Sequence, residues 1–153
     1  MESLQGGLQA SLDELRRLTN TEFAALAWMD PKEPLIRWKH ASGSRNGRYK
    51  RIALPPGKGE AGQVMRSGRP LVITSFSPRS VDDPWQYPIL LAENLKAIVC
   101  VPVIAKEHIR GVLLVGCRHP RDFPPEVVEL VGHMAEQLGT LLRWRGDGDA
   151  AIR

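Results

Sequence analysis

The chain holds only two cysteines, Cys100 and Cys117, in 153 residues. Both lie inside apolar, strand-like runs. If residues 105–108 turn a hairpin, Ile104 pairs with Ile109, Cys100 falls opposite Leu113, and Cys117 falls opposite Lys96. A disulfide is then not expected, and the thiols read as buried structural groups, with a redox role as the alternative. No apolar run reaches membrane-spanning length, and Met1-Glu2-Ser3-Leu4-Gln5 lacks the regions of a signal peptide. The expectation is a cytoplasmic protein with no membrane partner. His40, His108, His119 and His133 show no metal-ligand spacing, and no Ser or Cys carries a nucleophile signature. No metal, no cofactor and no catalytic residue is therefore expected. An excess of one charge is lacking too. The net charge is +4, with basic residues dispersed among acidic ones, so nucleic acid is not the expected partner. Arg45, Arg48, Lys50 and Arg51 cluster around residues 49–54, where they read as charges guarding an exposed strand.

The chain is 42% hydrophobic and 25% charged, the composition of a globular domain long enough to bury a core. Leu4, Leu8, Leu12, Leu15 and Leu18 mark an amphipathic helix, weakened at Gly6 and Gly7 so that its firm part starts near Ser11. Residues 22–29 read as a strand, and residues 30–34 as a turn. Residues 35–42 alternate, with Ile36, Trp38 and His40 on one face. A third strand is expected near 49–54 and a short helix over 60–66. A strand follows over 71–74, then a long loop over 75–88 of the kind that forms binding segments or lids, then a short helix over 89–94. Residues 96–104 and 109–117 form the most apolar hairpin. A last helix is expected from 126 to 144, with Val127, Val131, Met134 and Leu138 on its apolar stripe, followed by a frayed tail over 145–153. The pattern predicts a single α+β domain: an antiparallel sheet of about six strands, terminal helices packed together on one face, and a pocket under loops and short helices on the other.

The segment Pro55-Pro56-Gly57-Lys58-Gly59-Glu60-Ala61-Gly62 carries the chemistry. A helix that starts in a glycine turn presents unpaired N–H groups and the positive end of its dipole, an arrangement suited to an anion. It is not a phosphate loop. Ile52 stands where the first glycine of Gly-x-x-x-x-Gly-Lys-Ser/Thr belongs, and Gly59 stands in the hydroxyl position.

Residues 11–144 resemble a GAF domain in this helix entry, in the exit Ser67-Gly68-Arg69-Pro70, and in the hairpin over 96–117. Arg37-Trp38-Lys39-His40 and Trp85-Gln86-Tyr87-Pro88-Ile89 are similar to the nitrate receptors of the NreA type within that family. The resemblance implies a sensor of nitrate or a similar small monovalent anion. Its partner would be a sensor histidine kinase of a two-component system in nitrate and oxygen regulation. The implied ligand site is the Trp38 side chain with the backbone N–H groups of Glu60, Ala61 and Ile89, walled by Tyr87 and Pro88. Such a site needs no Lys or Arg and suits a weakly hydrated anion. Glu60 replaces the apolar residue expected there, and its carboxylate is expected to point to solvent.

Plainer readings fit the same residues. The glycines also make a tight strand-to-helix connection, Trp38 also fits a packed core, and Trp85 and Tyr87 also pin a loop. The GAF family further includes free methionine-(R)-sulfoxide reductases, which use loop cysteines, and modules that bind other ligands or form a homodimer through their terminal helices.

Overall fold

The computed structural model describes residues 4–30, 32–80, 83, 86–144 and 150–152. A six-stranded antiparallel sheet in the order β3-β2-β1-β6-β5-β4 forms its middle layer. The strands are β1 (Phe23–Met29), β2 (Ile36–Ser42), β3 (Ala53–Leu54), β4 (Leu71–Ile73), β5 (Ala97–Ala105) and β6 (His108–Cys117). β1, β5 and β6 lie inside the sheet and are apolar on both faces, as strands covered on two sides must be. The helices α1 (Leu4–Thr19) and α4 (Pro125–Leu141) cover one face. Leu8, Leu12 and Leu15 meet Val131, Ala135 and Leu138 there, over Leu26, Val101 and Leu113. The shorter helices α2 (Gly59–Ser67) and α3 (Pro88–Ala92) cover the other face, where Ala61, Val64, Ile89 and Leu90 pack on Ala25, Trp38, Cys100 and Leu114.

Two bulges change the expected registers. The tip of the β5–β6 hairpin is as read: Ile104 pairs with Ile109, and Lys106 and Glu107 both take positive φ, as a two-residue primed turn requires. A register shift beyond Ile104 then moves every pair by one residue, so Cys100 lies opposite Leu114 and Cys117 opposite Ala97. Both thiols are buried and free. A second shift falls between Leu26 and Ala27: His40 pairs with Leu26, but Trp38 pairs with Ala27. Lys39 is the extra residue. It turns His40 to the helix-covered face, against Trp28 at 5.5 Å between ring centroids, while Trp38 stays on the other. His40 therefore does not share a face with Trp38.

Other boundaries also move. The expected third strand is a 3₁₀ turn over Arg48–Arg51 followed by two strand residues. Tyr49 is buried as its anchor, so Arg48, Lys50 and Arg51 sit on this turn, with Arg45 in the loop before it, and not along a strand edge. α1 runs from Leu4, and α4 ends at Leu141, after which β7 (Leu142–Trp144) pairs with β8 (Ala150–Ile152). Part of the expected frayed tail is thus a strand; residues 145–149 and 153 lie outside the described residues.

One buried ion pair fixes α3 in place. The Glu93 side chain is fully buried, and it accepts from Ser44 Oγ at 2.6 Å, Arg45 N–H at 3.0 Å and Arg118 Nη2 at 2.8 Å. Arg118 also donates to the carbonyls of Gly43 and Glu93. The exits of β2 and β6 are thereby tied to the end of α3. Removing the guanidinium leaves a buried carboxylate short of its counter-charge, so Arg118→Met is expected to lower unfolding free energy by about 3 kcal/mol. Urea denaturation monitored by tryptophan fluorescence measures this loss. A loss within error of zero would show the pair to be dispensable.

Candidate small-anion site

The glycine turn folds as its residues demand. Pro55 stops β3, and the Lys58 N–H donates back to the Pro55 carbonyl at 3.1 Å. Gly57 and Gly59 take φ of +89° and +70°, a region open to glycine and costly for other residues. A side chain at Gly59 would also overlap Leu54 and crowd Pro88, the first residue of α3. The turn and α3 therefore touch, and α2 starts beside α3.

α2 buries Glu60, Ala61 and Val64. Glu60 and Val64 are one turn apart, so the stripe that sends Val64 into the core sends Glu60 there as well. The solvent-facing orientation expected for Glu60 is not what the structure has: the residue is 0% exposed. Its Oε2 accepts the Leu90 N–H at 2.9 Å, and its Oε1 lies 3.5 Å from the Ile89 nitrogen. A third bond comes from its own backbone N–H. The carboxylate thus occupies donors of Glu60 and Ile89 that the sequence reading gave to an external anion.

Burial of this carboxyl raises its pKa to about 7, and the three backbone hydrogen bonds only partly oppose that rise. Desolvation outweighs hydrogen bonding, and among the described residues no basic side chain joins the site to oppose it. Cys100 lies on the same layer. Its thiol is fully buried and pushed well above the usual thiol range, first by desolvation and then by the Glu60 charge.

Trp38 is 3% exposed and belongs to the same buried cluster as Ala61 and Ile89. Its Nε1 is buried with no hydrogen-bond partner among the described residues. A buried indole N–H normally finds an acceptor, so this donor is one that a polar atom could use. Ala61 contributes a first-turn N–H by its position in α2. Pro88 is buried at the start of α3. Tyr87 is half-buried and meets Phe76 edge to face at 5.5 Å, which pins the segment before α3. Trp85 lies outside the described residues. Beside the turn, a cleft of about 410 Å³ is lined by Ala53, Leu54, Pro55, Lys58 and Asp83.

The structure therefore brings Trp38, Glu60, Ala61 and Ile89 into one layer, with Tyr87 and Pro88 at its border. It adds the Leu90 N–H, at the same helix start as Ile89 after Pro88, and Cys100, which the sequence did not point to. The inward turn of Glu60 had a signal, in its four-residue step to Val64. One further grouping was not foreseen. Glu22, Cys117 and His119 place ligand-type atoms within 4.8 Å of one another, but Arg121 Nη1 stands 3.6 Å from the Cys117 sulfur, a poor neighbour for a cation.

Residues 2–143 match the GAF-domain family. The chain is 38% identical to NreA from Staphylococcus aureus, in a structure of that protein mutated in its nitrate-binding site. The match covers 77% of this chain and 88% of that one, with a TM-score of 0.70. Over 137 residues it is 28% identical to the HTH-type transcriptional activator RamA of Corynebacterium glutamicum, covering 88% of this chain and 47% of RamA. The chain thus spans about half the length of this curated relative. Free methionine-R-sulfoxide reductase from Neisseria meningitidis, solved with its substrate, shares the fold at 18% identity, with a TM-score of 0.68 over 87% of this chain and 74% of that one.

The buried carboxyl makes stability depend on pH. The folded chain keeps the Glu60 proton up to about pH 7, whereas the unfolded chain releases it near the ordinary value of 4.5. Between those values the folded state binds more protons, so stability falls as pH rises through the window, by about 3 kcal/mol. Glu60→Gln removes this term. Urea denaturation from pH 4.5 to 7.5 is expected to show the stability gap between variant and wild type widening in the variant's favour by that amount. Parallel curves would mean that Glu60 titrates as in solvent.

Proposed function

The chain belongs to the GAF-domain family, and from that premise we propose that it is a sensory module binding nitrate or a similar planar, monovalent oxyanion. The observation that carries this reading is the state of Glu60. A carboxylate is itself a planar oxyanion, and backbone N–H groups of Glu60, Ile89 and Leu90 hold one here with no basic side chain among the described residues. Donors that accept this group have the chemistry to accept nitrate. The orphan indole N–H of Trp38 supplies one more. A neutral set of donors favours nitrate over phosphate or sulfate, whose hydration is too strong to be offset in a dry site. The likeness to NreA agrees with this choice.

The output we propose is contact with a sensor histidine kinase, in the manner of a two-component system. Ile89 directly follows Tyr87 and Pro88, so an anion held at Ile89 alters the border of the 75–88 segment. A partner that meets that segment can then distinguish bound from free protein, as any ligand-driven switch requires. A thiol-dependent reductase is the weaker reading. Cys100 and Cys117 are both fully buried, and the Cys100 thiol is driven away from its reactive thiolate form.

Calorimetric titration with nitrate at pH 6 tests the proposal, with affinity expected in the micromolar to millimolar range, about −4 to −8 kcal/mol. Trp38→Phe keeps the aromatic bulk and removes the donor, and should weaken binding about five- to tenfold, the worth of one hydrogen bond. Absence of binding for both nitrate and nitrite would remove the ligand assignment. Unchanged affinity in Trp38→Phe would remove Trp38 from the site.

A further inference from the structure

We propose that Glu60 is a built-in competitor for the anion site, so that this domain takes up its ligand together with a proton. The inference rests on the anion-site reading above and concerns how that site is controlled. Its ground is geometric. The carboxylate is fully buried and sits 2.9 Å from the Leu90 nitrogen and 3.5 Å from that of Ile89, so an incoming oxyanion and an ionised Glu60 contend for the same donors. They also repel each other in a layer that has no side-chain cation among the described residues to separate them. The other titratable side chains of the buried cluster around α2 are Cys100 on β5, Tyr49 of the 3₁₀ turn and, at its edge, Tyr87. The β6 residues in it, Val112 and Leu114, carry no charge. Lys58 is exposed and lines the outer cleft.

Protonation resolves the conflict. A neutral Glu60 carboxyl gives up its claim on the backbone N–H groups and gains an O–H that donates to the anion. The exchange reads as one proton and one anion entering together, with no net change of charge in the layer. The raised pKa of Glu60, about 7, places this exchange in the physiological range. Only the protonated fraction is competent, so apparent affinity scales with that fraction. Glu60 would thus be the residue that sets both specificity and pH dependence. A permanently neutral residue in its place would bind the same anion without regard to pH.

The test is nitrate calorimetry from pH 5.5 to 8.5 on the wild type and on Glu60→Gln, in buffers of different ionisation enthalpy. For the wild type, Kd should rise about tenfold per pH unit above the titration of Glu60 and level off below it. Proton uptake should approach one per nitrate at the alkaline end. Glu60→Gln should bind with a Kd independent of pH and take up no proton. A wild-type Kd flat across the range with no proton uptake would overturn the inference while leaving the anion site intact. No binding by either protein at any pH would overturn the site itself, and this inference with it. The proton count is read on the wild-type chain alone, so the test stands if Glu60→Gln does not fold.

Discussion

The Glu60 carboxylate, held by the backbone N–H groups that open α3, ties the two short helices of the site to each other. α2 contributes the acid and α3 contributes the donors. Neither helix is long enough to be stable by itself, since isolated helices of this size are marginal in water. Burying a carboxyl among Ala61, Val64, Ile89 and Cys100 is costly, and the surrounding layer must be rigid enough to hold it there. Its raised pKa reports that cost.

The rest of the molecule supplies that rigidity in two places. The glycine turn brings Gly59 against Leu54 and Pro88, which sets the distance between β3, α2 and α3 with backbone alone. At the far end of α3, Glu93 meets Arg118, Ser44 and Arg45. The two buried acids have different partners. Glu93 has a guanidinium at 2.8 Å, whereas the partners of Glu60 among the described residues are backbone amides. The first clamps the scaffold. The second, held without a counter-charge there, has its pKa raised to about 7.

Much of this was legible in the sequence. Leucines at helical spacing gave α1, and the apolar runs around residues 97–105 and 108–117 gave the central hairpin. Alternation along β2 put Ile36 and Trp38 on one face, as they are. The glycine turn announced the start of α2. What was not legible arose where local pattern and three-dimensional packing part company. Bulges at Lys39 and near Ile104 shift side chains by one residue without any mark in composition, and they moved His40 to the other face and Cys100 by one partner. The region around Tyr49 reads as a strand, yet residues 48–51 form a 3₁₀ turn with Tyr49 buried, and Tyr49 and Ile52 stand three residues apart, the spacing of such a turn. Glu60 was misplaced because a charged side chain in a first helical turn ordinarily faces water. Its spacing from Val64 pointed inward, and that pattern prevailed over its charge.

The central claim is that the Glu60 carboxyl lies buried on the donors of the proposed anion site. Carboxyl ¹³C NMR of the labelled chain, followed from pH 3 to 9 with and without saturating nitrate, tests it most directly. A Glu60 titration near 7 that moves upward when nitrate is present is the predicted result. A Glu60 that titrates near 4.5 and ignores nitrate would contradict both its burial and its competition for the site.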